Sequence, residues 1–431
     1  MTAATREIVP ATAARLNKGI PAQAVILCGG MGTRLGNLTR DCPKPLLPVA
    51  GSPFLDLLID DLVRQGAQDI LLLAANLAEQ VEDFAARTNR RLAAGTTDPE
   101  VPRVRVTRET RPAGTSGALW QARALLAPRF LLLNGDSWFD ILLADLTRLH
   151  QGHPGCLGAL ALRRAPDGSR FGCVDLVGSR LRAFSDRGSP GREAIINGGV
   201  YCFSDAIADH LLPEGSLEQE VLPRLARAGK LAGSVFDDAF LDIGVPEDYA
   251  RAQSFVPAHR RRPAIVFDRD GVLNLDHGHV GTPERFTWMP TAREAVRRVN
   301  AAGWFAFVAT NQAGIGKGRY TQDDYLALRR HIYADLAEIG AHIDDERFCA
   351  THPNAVLPAL AGESSRRKPG PGMLEELRDR WPVDWAASVM IGDRQSDMEA
   401  ARAADLSGRL FDGATSDKSL LEHVDEILAR Y

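Results

Sequence analysis

The chain has 431 residues, too many for one ordinary hydrophobic core, so two or three domains are expected. Hydrophobic content of 45% with 25% charged residues is that of a soluble globular protein, and a formal net charge of -4 argues against a general nucleic-acid binder. No apolar run reaches the ~18 residues of a membrane helix. The first twenty residues mix Ala, Thr and Arg without the apolar centre of a secretory signal, so residues 1–20 read as a flexible leader and the location as cytoplasmic. Six scattered cysteines with no Cys-x-x-Cys pair read as free thiols.

Short apolar runs alternate with helical patterns in two sections, the pattern of α/β architecture. In the first, strands are expected at Ala24–Leu27, Ile70–Ala74, Arg103–Thr107, Phe130–Leu133, Cys156–Leu162 and Gly199–Phe203. A glycine-rich loop, Cys28–Leu35, follows the first strand. Gly29, Gly30 and Gly32 let backbone amides approach phosphate oxygens, and Arg34 adds a planar fork of donors. Lys44 stands between Pro43 and Pro45, a rigidly presented charge for a diphosphate or sugar phosphate. Asp136 ends the run Leu131–Asp136, and Asp242 follows Leu241. Two such carboxylates can hold a cation that keeps most of its waters.

These motifs resemble the sugar-1-phosphate nucleotidyltransferases, marked by Gly-Gly-x-Gly-Thr-Arg-Leu and Pro-Lys-Pro, over roughly Ala24–Ala252. The resemblance implies a GT-A-like mixed sheet with Thr33 in the nucleotide loop and Arg34 and Lys44 as catalytic cations. It makes Glu109–Ala118 the base- and ribose-facing segment, with Glu109, Gly114 and Thr115 binding nucleotide. It gives Mg²⁺ to Asp136 and Asp242, and the sugar phosphate to Glu193, Asn197 and Gly198. The family's lysine after Phe-x-Glu is replaced by Arg187 in Phe184–Arg187. No acid or base is required, because a sugar phosphate attacking an α-phosphate is already ionised. The demand is for charge neutralisation.

The second section begins after Val256–Pro263, a proline-bracketed basic stretch that reads as a solvated linker. Its strands are expected at Ala264–Phe267, Trp304–Ala309 and Ser388–Ile391. Asp268 and Asp270 stand at the first strand end, a nucleophile and an acid/base two residues apart. Thr310 ends the next strand with a hydroxyl for a phosphoryl oxygen. Lys368 can neutralise phosphate and nucleophile together. Asp393 offers a metal carboxylate, with Asp397 to orient it. This order of Asp, Thr, Lys and Asp-x-x-x-Asp resembles the haloacid-dehalogenase-type phosphatases over about Ala264–Phe411. The finer pattern is similar to the heptose bisphosphate and histidinol phosphatase subgroup. That resemblance implies a parallel sheet with a minimal cap, Mg²⁺ at Asp268, Asp270 and Asp393, Asn311 and Arg367 binding phosphate or substrate, and His277–Phe286 shaping the substrate site. The subgroup's zinc site keeps Cys349 and His352 here, but Ser364–Arg366 replaces its Cys-x-Cys, so zinc is not expected.

The expected organisation is therefore a leader at 1–20, a nucleotidyltransferase domain at 21–255, a linker at 256–263 and a phosphatase domain at 264–431. Both domains are Rossmann-like. The fusion implies consecutive steps: removal of the 7-phosphate of a heptose 1,7-bisphosphate, then transfer from an NTP, with GTP favoured, to heptose 1-phosphate. A hexose-1-phosphate nucleotidyltransferase joined to a histidinol-phosphate or other small phosphatase is the alternative, and a regulatory sensor with one dead site is disfavoured by the full set of charged residues. Neither a nucleic acid nor a membrane is an expected partner, and self-association is left open.

Overall fold

The computed structural model describes residues 19–94, 100–168, 172–185, 188, 191–413 and 417–430. Two sheets organise the chain. The first has nine strands and is mixed. Four parallel strands, Arg103–Arg108, Asp69–Ala74, Gln23–Leu27 and Arg129–Asn134, lie side by side in that order. Ala194–Ser204 then adds antiparallel to Arg129–Asn134 and leads into the remaining strands, Gly158–Ala165, Leu231–Val235, Arg180–Ser185 and Cys173–Val177. Runs such as Ala24–Ile26 and Leu71–Ala74 are buried throughout, as strands covered on both faces must be.

The second sheet has five strands, all parallel, in the order Asp345–Cys349, Phe305–Asn311, Ala264–Phe267, Val389–Gly392, Ser407–Leu410. Its first strand is central, which brings Asp268, Thr310 and Asp393 to one carboxyl edge of the sheet. That is where ligands bind in open parallel sheets.

A separate two-stranded ladder, Ser137–Phe139 with Phe240–Asp242, sets Asp242 opposite Ser137. Asp136 immediately precedes Ser137 and Asp242 pairs with it, so the two acids lie at the same end of the ladder and its register sets their spacing.

The expected linker is shorter than the sequence pattern indicates. Helix Pro246–Arg260 runs through Pro257, leaving Arg261–Pro263 between the two sheets' elements. The reason is packing: Val256 is buried and Phe255 packs edge-on against Trp138, which holds the last turns despite the hydrogen bond lost at the proline. Arg262 is no solvated connector either, since its guanidinium bonds Asp140 at 2.7 Å. The strand expected at Cys156–Leu162 forms at Gly158–Ala165. Of the leader, only Gly19 and Ile20 lie within the described residues, and Ile20 is buried. All six cysteines are unpaired thiols. Among the described residues no helix is long and apolar enough to cross a membrane.

Candidate active sites

The N-terminal site gathers at the carboxyl ends of the parallel strands. Lys44 is buried, and its Nζ lies 2.5 Å from Asp136 Oδ2. Ser137 Oγ sits 3.3 Å from both Asp136 Oδ1 and Asp242 Oδ2. Gly244 donates its N–H to Asp242 Oδ1 at 2.5 Å. A Cβ on Gly244 would meet that oxygen, Arg34 Nη2 at 3.2 Å and Lys44 Nζ at 3.4 Å. Two cations and two carboxylates thus converge on a backbone position that only glycine leaves open. Burial raises the Asp242 carboxyl pKa, and the Asp136 charge adds to it. Such a like-charge pair suits a divalent cation that shares its remaining ligand positions with phosphate oxygens and water.

Glu109 lies beside the glycine loop. Its Oε1 is 2.5 Å from where a Cβ of Gly29 would stand, and its Oε2 accepts the Ala113 N–H at 3.3 Å. Burial raises its pKa. A cleft of about 330 Å³ opens there, lined by Leu77, Glu79, Arg108 and Glu109 among others. Gly30 faces open space. Thr33 begins a short helical turn whose far end, Thr39, bonds back to the Gly32 carbonyl.

The other residues expected here have visible structural partners. Gly114 packs against the Gly215 carbonyl, and Thr115 Oγ1 donates to Glu218 at 2.6 Å and accepts from Leu217 N. Asn197 bonds Tyr201 and the Gly199 amide across an irregularity in its strand, and Gly198 lies under the Phe139 ring. Glu193 pairs with Arg164 at 3.0 Å on the surface. Arg187 lies outside the described residues.

The C-terminal site is a compact charge cluster. Lys368 Nζ reaches Asp268 Oδ1 at 2.9 Å, Asp397 Oδ1 at 2.7 Å and the Ala309 carbonyl at 2.9 Å, which uses all three of its donors. Burial works against this ammonium, and Asp268 with Asp397 outweighs it, so its pKa is raised. Burial raises the Asp268 carboxyl, Lys368 opposes, Asp397 adds to the rise, and the result is about 7. Oxygens of Asp268, Asp393 and Asp397 lie within 4.8 Å of one another, and Asp393 Oδ1 is buried without a partner. An orphaned carboxylate oxygen among three acids fits a hard divalent cation. Gly271, at φ +88°, leaves the room Asp393 occupies.

The side-chain cluster contains Asp397 and not the Asp270 carboxylate. The Asp270 carboxylate is turned to Arg269, Gln312 and Asn274, at 2.9, 3.0 and 3.1 Å. Gln312 also donates to Thr310 Oγ1 at 2.8 Å and accepts the Tyr320 hydroxyl at 2.5 Å. Arg269, Gln312 and Tyr320 escaped sequence reasoning. Their only signal was polar residues amid an apolar, glycine-rich stretch. Asn311 exchanges two bonds with the Lys368 backbone at 3.1 Å each, so it positions the lysine. Arg367 bonds the Thr351 carbonyl at 3.4 Å.

After burial, Lys317 and Arg319 most depress the His279 pKa, against Asp276 and Asp270; His352 is depressed by burial, Arg367, Lys317 and His279. Among the described residues, Lys317, Arg319 and Arg367 have no carboxylate partner. The loop after Cys349 is held by bonds from His352 N to Leu360 O and from Val356 N to Gly316 O, and Leu360 packs on the Ile315–Tyr325 cluster. His352 Nδ1 accepts the Asn354 amide at 2.9 Å, and the Cys349 thiol is buried.

Comparison with known proteins finds separate relatives for the two halves. The Nucleotidyl transferase family matches residues 23–259, and a HAD-hydrolase-like family matches 365–429. D-glycero-beta-D-manno-heptose-1,7-bisphosphate 7-phosphatase of Rhodopseudomonas palustris is 47% identical over 36% of this chain and 87% of its own length. The α-anomer phosphatase of Burkholderia mallei is 39% identical over 33% of this chain and 75% of its own. D-glycero-alpha-D-manno-heptose 1-phosphate guanylyltransferase of Campylobacter jejuni is 32% identical over 53% of this chain and 96% of its own. With two charged sites on two sheets and a separate set of relatives for each, the chain belongs to the Nucleotidyl transferase family through its N-terminal half and carries a HAD-like phosphatase in its C-terminal half.

Proposed function

We propose that this protein makes a guanosine diphosphate heptose in two steps: removal of the 7-phosphate of D-glycero-α-D-manno-heptose 1,7-bisphosphate in the C-terminal domain, then transfer of GMP from GTP to the heptose 1-phosphate in the N-terminal domain. The carrying observation is that loss of the 7-phosphate from the bisphosphate named for one half's relative leaves the heptose 1-phosphate named for the other's. Relatives of the phosphatase half include both anomers. Removing a phosphate at C7 leaves C1 untouched, so the two halves must share an anomer, and the guanylyltransferase relative is named for the α form.

In the phosphatase, an Asp268 oxygen forms a bond to phosphorus while the bond from phosphorus to the C7 oxygen breaks. Asp270, held by Arg269 and Gln312, gives its proton to the departing alkoxide and then takes one from the water that hydrolyses the acyl phosphate. Mg²⁺ at Asp268, Asp393 and Asp397 would screen the phosphoryl charge. The positive charge of Lys317, Arg319 and Arg367 felt at His279 and His352 supports a substrate with a second phosphate.

In the transferase, Arg34 and Lys44 bring cationic charge to the triphosphate, and a Mg²⁺ at Asp136 and Asp242 would lower the repulsion between two anions. Glu109 supports guanine: an ionised carboxylate only accepts, and the guanine edge offers the N1–H and N2–H donors. The test is the pure protein on α- and β-heptose 1,7-bisphosphates with each NTP in turn. GDP-heptose from the α anomer is expected. Activity only with a hexose 1-phosphate and dTTP or UTP would refute the reading.

A further inference from the structure

We propose that the phosphatase domain is a working part of the nucleotidyltransferase, with Asp344 acting as a positioning residue for the metal aspartates of the other domain. Arg64 ends helix Phe54–Arg64, and its side chain is 8% exposed. Each nitrogen of its guanidinium meets a different carboxylate. Nε lies 3.0 Å from Asp61, Nη2 3.6 Å from Asp140, and Nη1 3.1 Å from Asp344. The first two acids belong to the transferase. The third belongs to the phosphatase, and its side chain is 0% exposed.

The two transferase acids hold the ladder that carries the site. Asp61 Oδ2 accepts the Trp138 indole N–H at 2.7 Å, and Trp138 is the middle residue of Ser137–Phe139. Asp140 follows that strand directly and is also bonded by Arg262 at 2.7 Å. Asp136 precedes the strand, and Asp242 lies opposite Ser137. Arg64 thus grips the ladder at its middle, through Asp61 and Trp138, and just past one end. The ladder in turn sets the separation of Asp136 and Asp242.

Asp344 fixes Arg64 from the other side. Its Oδ1 also meets His342 Nε2 at 3.2 Å, and its Oδ2 accepts the Ala306 amide at 2.8 Å, on the strand that ends at Asn311. The carboxylate is therefore anchored to the phosphatase sheet and offers Arg64 a rigid partner. A planar guanidinium between three acids has one orientation that satisfies all of them. Without Asp344 one arm of a buried cation is left unpaired, and the guanidinium must shift toward a new partner. A displacement of about 1 Å far from the chemistry can cost about 10²-fold in rate.

The test is Asp344→Asn in the full chain, with both activities measured on the same preparation. The transferase is assayed with whichever NTP and sugar 1-phosphate the wild type uses best, so a wrong nucleotide in the functional reading shows separately as a different preferred NTP. The quantity read is transferase kcat divided by phosphatase kcat, measured well below the melting of either half so that unfolding of one half does not enter it. The ratio is expected to fall about tenfold or more, and the Mg²⁺ concentration for half-maximal transfer to rise, because the two metal carboxylates are no longer held apart correctly. If this variant yields no folded protein, Asp344→Glu, which keeps Arg64 and the negative charge but displaces the carboxylate, is read the same way with the same expectation. An unchanged ratio and unchanged Mg²⁺ requirement in the variant that folds would overturn the proposal, as would equal loss of both activities.

Discussion

At the residue scale, division of labour between the two sites makes the sharpest predictions. Asp268→Asn removes the attacking oxygen and should lower phosphate release by roughly 10³-fold or more while transfer continues. Asp242→Ala should do the reverse, and a phosphate-release and nucleotide-sugar assay on each variant checks both. Gln312→Leu deletes the amide that ties Asp270 to Thr310. It should lower phosphatase kcat roughly 10–100-fold with little change in KM, since the proton donor is misplaced and binding is not. Asp268, Thr310, Lys368 and Asp393 were legible in sequence because each stands at a strand end or next to a proline, where the chain pattern itself marks the position. Gln312, Arg269 and Tyr320 were not, because their role lies in bonds to one another that no spacing encodes.

At the element scale, the short ladder Ser137–Phe139 with Phe240–Asp242 matters more than its length implies. Trp138→Phe keeps the ring but leaves the Asp61 oxygen without its indole donor, at a cost of about 1–3 kcal/mol read from thermal melting. Burial alone would raise the Asp61 carboxyl; Arg64, Arg260 and Arg262 outweigh it and bring it down from 3.8 to about 2. A depressed carboxyl stabilises the fold above its unfolded value and loses that contribution as pH falls through its folded value. The melting temperature should therefore drop between about pH 4 and pH 2. Asp61→Asn should flatten that limb, and melts across the pH series decide it. The long apolar strands of both sheets were plain in sequence. Asp345–Cys349 and Ser407–Leu410 were not, because a short edge strand with charged residues looks like a loop. The helix through Pro257 was missed for the opposite reason: proline signals a break, and burial of Val256 overrides it.

At the scale of the whole molecule, charge pairs that cross between the halves make the two domains more than neighbours. Arg64 meets Asp344 and Arg297 meets Asp145 at 2.6 Å, while Arg262 of the connector meets Asp140. Breaking one buried pair by removing a partner costs about 3–5 kcal/mol. Asp344→Asn should thus lower the melting temperature of the transferase half as well as of the half that carries it, which calorimetry of the full chain would resolve. Both sites concentrate carboxylates that a divalent ion relieves. Chelation should stop both activities and added Mg²⁺ should restore both.

The sequence by itself determined the two chemistries and their division between two α/β halves, because glycine loops, strand-end acids and Pro-flanked lysines are local patterns with local causes. Tertiary structure alone decided how the acids are held. Where the Asp270 carboxylate points depends on Gln312 and Arg269, and whether Asp136 and Asp242 keep their distance depends on Arg64. Its third partner, Asp344, lies 280 positions away in the chain. Such contacts join a helix end of one half to a loop of the other, and no local pattern of residues carries them.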